Sequence, residues 1–237
     1  MKATNPYVIQ QKHEFDNLWK RFGKELRERT DLVYPEPNNV GGTARFLTTV
    51  VRLKGEIPWK ISEVQKEFQT LDDSHYYYPL PDLHFTIMDC TSFCSSSQSI
   101  SLADVEQIRE ICGGVLADFN GFRITGFGLN VFPTTVFVQL FSETNTIERL
   151  RHKLEATLSH HLVRNEYRSL VPQPLLAYTN IIRFMHAGVA KVADLLSSKR
   201  EMYLGSMFVD TVELVVTDKV LAAPNTTIYS TFSMGRS

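Results

Sequence analysis

The run "PDLHFTIMD", residues 81–89, places a histidine inside an apolar segment that favours a β-strand. Side chains at positions i and i+2 of a strand share one face of the sheet. His84 and Thr86 are therefore predicted to point one way, while Phe85 and Ile87 point the other way. The run thus indicates a strand with one apolar face and one face that carries a polar pair.

A second run, "AYTNIIRF" at 177–184, has a comparable pattern in the other half of the chain. When the two runs are aligned, Tyr178 falls opposite His84 and Asn180 falls opposite Thr86. A lone histidine in a strand is more often structural than catalytic. The repeat of a polar pair on one strand face is what indicates a functional site here.

A histidine, one spacer and a threonine within an apolar strand, present once in each lobe, are typical of the two-histidine phosphoesterase superfamily. That group includes 2'-5' RNA ligases and cyclic phosphodiesterases, and this chain resembles it over roughly residues 43–234. "GFGLNVFPTTVFVQL" resembles the strand pair before the second motif, and "VELVVTDKVLAAPNTTIYSTFSMG" resembles the closing hairpin. The second motif departs from the family pattern, because Tyr178 stands where a histidine is expected and Asn180 where threonine or serine is expected.

The resemblance implies that the two pairs straddle one phosphate. His84 would act as general base or general acid, with Tyr178 as its partner, while Thr86 and Asn180 would bind phosphate oxygens. Imidazole has a reference pKa of about 6.5, which suits both roles, whereas phenol at about 10 can donate a proton but is a poor base. The resemblance implies neither a cofactor nor a catalytic metal.

The pattern of the whole chain predicts an α+β fold. We expect a bilobal, pseudo-symmetric arrangement of two mainly antiparallel sheets with helices on the outer faces, and the family resemblance implies a central groove between the lobes. Residues 1–42 are predicted to form an N-terminal helix and arm, and residues 43–237 a single bilobal phosphoesterase-like domain with interleaved lobes. Helices are predicted over 11–30, 58–71, 102–119, 145–162 and 189–199. Strands are predicted over 43–53, 75–89, 121–133, 134–142, 175–185, 206–220 and 227–234.

Several residues near the two motifs have competing interpretations. Strand periodicity places Arg183 on the face opposite Tyr178, so it is predicted to be a surface charge unless a β-bulge intervenes. The aromatic run at 75–78 could stack a base at the groove edge or simply pack. Cys90 and Cys94 could contact a metal, but no second ligand pair follows at zinc spacing, so no metal site is predicted.

Composition limits the class of ligand. The 237 residues include 25 basic and 26 acidic side chains, which excludes a whole-molecule basic field for binding long nucleic acid. The N-terminus lacks the apolar core of a signal peptide, and no window approaches the roughly 18 apolar residues of a membrane span. The expected location is the cytoplasm, and the expected ligand is a nucleotide or short oligonucleotide. Neither a membrane nor a stable protein partner is predicted.

Three functions compete at this point. The first is a metal-independent phosphodiesterase or cyclic phosphodiesterase that acts on RNA ends or on small cyclic or 2'-5'-linked nucleotides. The second is a catalytically impaired nucleotide- or RNA-binding protein of the same fold. The third is a scaffold without a ligand.

Overall fold

Two antiparallel sheets form the frame of the protein, as seen in a computed structural model. The structure describes residues 5–23, 26, 45–91, 100–158, 174–186 and 190–235. The described α-helices are α1 (Pro6–Leu18), α2 (Glu56–Gln69), α3 (Leu102–Ala117), α4 (Thr146–Leu158) and α5 (Ala190–Ser198). The described strands are β1 (Phe46–Arg52), β2 (Tyr76–Tyr77), β3 (His84–Asp89), β4 (Phe122–Phe132), β5 (Thr135–Ser142), β6 (Ala177–Arg183), β7 (Tyr203–Val209), β8 (Thr211–Thr217) and β9 (Thr227–Ser233). The predicted α+β class is confirmed.

The strands of each sheet come from distant parts of the sequence. The first sheet has the order β3-β1-β8-β9 and the second the order β2-β6-β5-β4-β7, with antiparallel pairing between all neighbours. The chain passes from one sheet to the other several times, so the two lobes are interleaved. β8 and β9 form the predicted closing hairpin.

Two of the predicted strands are wrong in one respect, because each is divided between the sheets. The segment 75–89 contains β2 in the second sheet and β3 in the first, with a 3₁₀ turn at Leu80–Asp82 between them. Pro79 precedes that turn and Pro81 lies within it. Neither proline has a backbone N–H to donate to a neighbouring strand, so the extended run is interrupted there. The segment 206–220 changes sheet at Asp210, between β7 and β8.

Helices α3 and α4 pack on the first sheet, and α2 and α5 pack on the second. Helix α3 begins as predicted, since the Ser101 hydroxyl accepts the Asp104 backbone N–H at 3.1 Å and caps the helix. Helix α4 buries the predicted stripe of Ile147, Leu150, Leu154 and Leu158. None of the described helices combines the length and apolarity needed to cross a bilayer.

Helix α1 begins earlier than predicted, with Asn5 as its N-cap and Pro6 in its first turn. The Phe15 ring is fully buried against Phe137 and Phe141 of β5, with ring centroids 6.2 and 5.2 Å apart. All residues of β5 are buried, so both faces of the second sheet are covered there. Helix α1 covers the face that carries Phe137 and Phe141, while α2 and α5 cover the other face.

Candidate functional site

The first polar pair lies on β3 as the sequence predicted. Cα register places His84 opposite Arg52 and Thr86 opposite Val50 of the neighbouring strand β1, which confirms that the two share a face. This is the face away from α3 and α4. A β-bulge at the next position returns Asp89 to the same face, opposite Thr48. Thr86 and Asp89 are partly exposed there, so the face that carries His84 also presents a hydroxyl and, at the far end of the strand, a carboxylate.

His84 is held in one tautomer by the backbone. Its Nδ1 lies 2.6 Å from the carbonyl oxygen of Asp82. Because a carbonyl only accepts, Nδ1 carries the proton and the lone pair of the neutral ring is on Nε2. The pKa of His84 is lowered to about 4, mainly by burial; the hydrogen bond to Asp82 opposes this shift, and the nearby Arg52 adds to it. His84 is therefore a neutral imidazole near pH 7. It can accept a proton, but its protonated form is unstable at that pH.

Acidification should destabilise the protein through this buried imidazole. Between its unfolded pKa of about 6.5 and its folded pKa of about 4, the unfolded chain binds more protons, so the free energy of unfolding falls as pH drops through that window. The full contribution is roughly 3 kcal/mol, is present above pH 6.5 and is lost by about pH 4. Urea unfolding of the wild type and His84→Gln between pH 7 and pH 4.5 measures it. The two proteins share their other titrating groups, so an equal pH dependence would contradict the assignment.

The second polar pair lies on β6, in the second sheet. Tyr178 is opposite Gln139 and Asn180 is opposite Phe137 on β5, so both side chains are on one sheet face. This is the face that α1 covers near Phe137 and Phe141. Strands β3 and β6 approach each other, with Cα atoms within 8 Å. The fold thus brings together, from different sheets, the two strands that carry the predicted motifs.

A β-bulge on β6 overturns the prediction for Arg183. The register skips Ile181, so that Asn180 is opposite Phe137 while Arg183 is opposite Thr135, on the same face. Arg183 is 8% exposed, and its guanidinium donates to the Tyr78 hydroxyl at 3.0 and 3.3 Å. It is therefore a buried cation on the Tyr178 face and not a surface charge. No ion pair with Arg183 occurs among the described residues, which leaves donors for an anion.

Tyr178 has a hydrophobic environment. Its ring packs against Phe132 and Phe137, with centroids 5.1 and 5.0 Å apart. Burial raises the pKa of Tyr178 to about 12, although the nearby Arg151 acts in the opposite direction. The phenol therefore remains protonated across the physiological range. It can donate a hydrogen bond or a proton but cannot act as a base.

Asn180 has a buried side-chain oxygen that lacks a hydrogen-bond partner among the described residues. Buried polar atoms of this kind are uncommon, because leaving one unpaired costs roughly 1–3 kcal/mol. The carboxamide carries two N–H donors as well as the oxygen, and its orientation can reverse. Either end can thus bind a ligand that reaches this position.

Arg151 of α4 joins the two motif strands, and the sequence reasoning missed it. Its guanidinium donates to four backbone carbonyls at 2.5–2.9 Å, namely those of Thr86, Ile87, Pro174 and Leu176. The first two belong to β3 and the last two precede β6. Burial lowers the pKa of Arg151 to about 10, so the side chain stays charged. One signal could have revealed it, because position 151 falls on the buried stripe of the helix, four residues after Ile147.

Several other histidine and cysteine side chains lie away from the two motifs. His186 follows β6 and contacts Asp72 and Ser74. Its neighbour His75 also contacts Asp72. Cys90 is buried with Cys112, and Cys94 lies outside the described residues. A surface depression of about 600 Å³ between α2 and α5 is lined by charged residues of both signs and holds neither motif.

Comparison with known proteins identifies the fold. No protein-family profile matches the sequence, and no curated protein matches it either. Among solved structures, E. coli LigT complexed with NADP+ superposes with a TM-score of 0.55 at 14% identity, over 81% of this chain and 99% of LigT. This chain has the fold of LigT. The fold implied by the resemblance to two-histidine phosphoesterases is confirmed.

Three further structures have the LigT-like fold. TT0787 of Thermus thermophilus matches with a TM-score of 0.58 at 16% identity, over 81% of this chain and 99% of that one. ATU0111 of Agrobacterium tumefaciens, a conserved protein of unknown function, matches with a TM-score of 0.60 at 10% identity, over 84% of this chain and 96% of that one. A structure described only as a phosphoesterase also matches, at 13% identity.

Proposed function

We propose that this protein is a metal-independent phosphodiesterase or cyclic phosphodiesterase that acts on RNA ends or on small cyclic or 2'-5'-linked nucleotides. One observation carries the proposal. His84, a neutral imidazole with its lone pair on Nε2, and Tyr178, a protonated phenol, lie on β3 and β6, two strands of different sheets that approach each other with Cα atoms within 8 Å in a LigT-like fold. Near neutral pH the imidazole can accept a proton and the phenol can give one, which are the protonation states that a base and an acid need.

The roles follow from the protonation states. His84 accepts a proton at Nε2 from the attacking water or ribose hydroxyl, and Tyr178 donates a proton to the leaving oxygen. Thr86 and Asn180 bind the non-bridging phosphate oxygens. Arg183 joins them, because its buried guanidinium is on the same sheet face as Asn180. None of these steps needs a metal ion, since each proton has a side chain that gives or takes it.

A nucleotide is the proposed ligand. LigT has been crystallised in complex with NADP+, 3'-AMP and ATP. The balanced charge of this chain favours a small ligand over a long polyanion. We further propose that residues 43–237 form the phosphoesterase-like unit and residues 1–42 an addition to it. Coverage of 99% of LigT by 81% of this chain supports such an addition.

A binding protein of the same fold is the second candidate. A histidine with a pKa of about 4 is a weak base, and a phenol with a pKa of about 12 is a weak acid. Both shifts lower the driving force for proton transfer, while Arg183 and Asn180 keep the capacity to bind an anion. Nucleotide binding without turnover is the function that these shifts favour.

A substrate panel separates the two candidates. The protein is incubated in EDTA with 2',3'-cyclic nucleotides, 2'-5'-linked dinucleotides and 3'-5'-linked controls, and the products are resolved by chromatography. Binding of the same compounds is measured by calorimetry. Turnover of a cyclic or 2'-5' compound supports the enzyme. Saturable binding without product supports the binding protein, and neither signal would refute both.

Restoring the family residue should raise activity. Tyr178→His replaces a phenol with an imidazole, whose reference pKa of about 6.5 suits proton donation near neutral pH. We expect kcat on the best compound of the panel to rise by at least about tenfold, a part of the roughly 10²–10⁴-fold that general acid–base catalysis contributes. Tyr178→Phe is the matched control, since it keeps the ring and removes the hydroxyl. A Tyr178→His variant no faster than Tyr178→Phe would show that position 178 does not act as the acid.

A further inference from the structure

Two histidines and an aspartate converge at the edge of the second sheet. Asp72 and His75 both precede β2, with His75 directly before its first residue, and His186 follows β6. The Oδ2 atom of Asp72 lies 3.7 Å from Nε2 of His75 and 3.5 Å from Nε2 of His186. One ligand atom from each of the three residues lies within 4.8 Å of the others, a grouping not found elsewhere among the described residues.

The carboxylate of Asp72 is fixed in its orientation. Its Oδ1 accepts hydrogen bonds from the backbone N–H and the hydroxyl of Ser74. The backbone carbonyl of Asp72 also accepts the Tyr77 hydroxyl at 2.5 Å. These bonds leave Oδ2 directed at the two imidazoles. The Ser74 hydrogen bond lowers the pKa of Asp72, which keeps the group a carboxylate.

His75 supplies a second, independent observation. Its side chain is 1% exposed, and its Nε2 has no hydrogen-bond partner among the described residues. The ring stacks on His186 with centroids 4.5 Å apart, and burial lowers its pKa, so that it is neutral. A buried ring nitrogen without a partner, aimed at a carboxylate oxygen beyond hydrogen-bond distance, indicates that a ligand atom is accommodated between them.

We propose that Asp72, His75 and His186 bind a divalent transition-metal ion of the Zn²⁺ class. Two imidazoles and one carboxylate are a donor set that such ions favour. Tetrahedral zinc with bonds of about 2.0–2.1 Å holds its ligand atoms about 3.3 Å apart. The separations of 3.5 and 3.7 Å from Asp72 need only a small contraction to reach that value, and the two imidazole atoms lie within 4.8 Å of each other. His186 is partly exposed, and its Nε2 lies 2.5 Å from the Ser74 hydroxyl, a contact that the ion would replace.

Metal binding would change the hydrogen bonds of His75. Its Nδ1 accepts the Met185 backbone N–H at 3.3 Å, so the proton of the metal-free ring is on Nε2. A metal on Nε2 displaces that proton to Nδ1, and the Met185 amide must then turn away. Met185 lies two residues after Arg183, so metal binding would shift the end of β6.

The site is distinct from the proposed catalytic groups. Tyr76 of β2 is opposite Arg183 and therefore faces the side of Tyr178, whereas His75, one residue earlier, faces the other way. The metal is thus not assigned to the reaction. Loss of the metal site would leave the proposed function intact, and turnover in EDTA is tested separately.

Metal titration of the full chain tests the proposal. The protein is freed of metal with EDTA, exchanged into chelator-free buffer and titrated with Zn²⁺ by calorimetry. We expect one ion per chain, with affinity lowered at least tenfold in His186→Ala and in Asp72→Asn. His186 is 44% exposed, so its variant should fold. His152→Ala, at an exposed position of α4, should bind as the wild type does.

Co²⁺ absorption supplies the second readout. A histidine and carboxylate site gives visible ligand-field bands without the intense near-ultraviolet band of cobalt–thiolate bonds. Absence of a one-to-one site, unchanged affinity in His186→Ala, or a thiolate band from the cysteines would each overturn the assignment.

Discussion

His84→Ala should lower kcat on the best cyclic or 2'-5'-linked compound by about 10²–10⁴-fold, the range expected when a positioned general base is removed. The backbone hydrogen bond of His84 fixes the lone pair on Nε2, and no other imidazole lies on β3 or β6 to replace it. KM should change much less than kcat, because the proposed phosphate-binding groups of Thr86, Asn180 and Arg183 are unchanged in this variant. Initial rates over a substrate series in EDTA measure both constants.

His152→Ala is the matched control, since it removes an exposed imidazole from α4. Its rate should equal that of the wild type. Circular dichroism must show that His84→Ala is folded before the rates are compared. Turnover retained within a factor of a few in a folded His84→Ala protein would remove His84 from the mechanism.

Arg151→Met should lower the free energy of unfolding by at least about 3 kcal/mol, the scale for removing a buried charged group from its hydrogen-bonding partners. Methionine fills most of the volume but leaves four carbonyls without their donor. These carbonyls belong to β3 and to the approach to β6. Urea unfolding followed by Trp19 and Trp59 fluorescence measures the loss.

Arg149→Met is the appropriate comparison, because it lies on the same helix and is exposed. Its guanidinium is 5.6 Å from the centroid of the Phe119 ring, a contact worth about 0.5–1 kcal/mol at an exposed site. Equal destabilisation by the two substitutions would mean that the carbonyl network around Arg151 contributes little.

The sequence predicted what depends on short-range periodicity. Alternation along β3 assigned His84 and Thr86 to one face, and the register confirms it. Three- and four-residue spacing located α4 and its buried stripe, and the Ser101 cap located the start of α3. Each of these features is determined by residues within a few positions of one another.

Features that depend on strand register or on contacts between residues distant in sequence could not be predicted in this way. A single extra residue at Ile181 turns Arg183 from the outer face to the Tyr178 face, and nothing in "YTNIIRF" marks that bulge. The sequence gives no sign of the change of sheet at Asp210 either, because both halves of the run 206–220 are rich in strand-forming residues. Arg151 binds carbonyls 23 to 65 residues away in sequence.

Helix α1 has a practical consequence for how this protein is cut and expressed. A fragment that starts at residue 43 would keep the predicted phosphoesterase-like unit but would lose the helix that covers Phe137 and Phe141. Those two rings are 0% and 3% exposed in the intact chain, and the fragment would open them to solvent beside Tyr178. Helix α1 therefore belongs with the candidate site, and the whole 237-residue chain is the proper material for every measurement of that site.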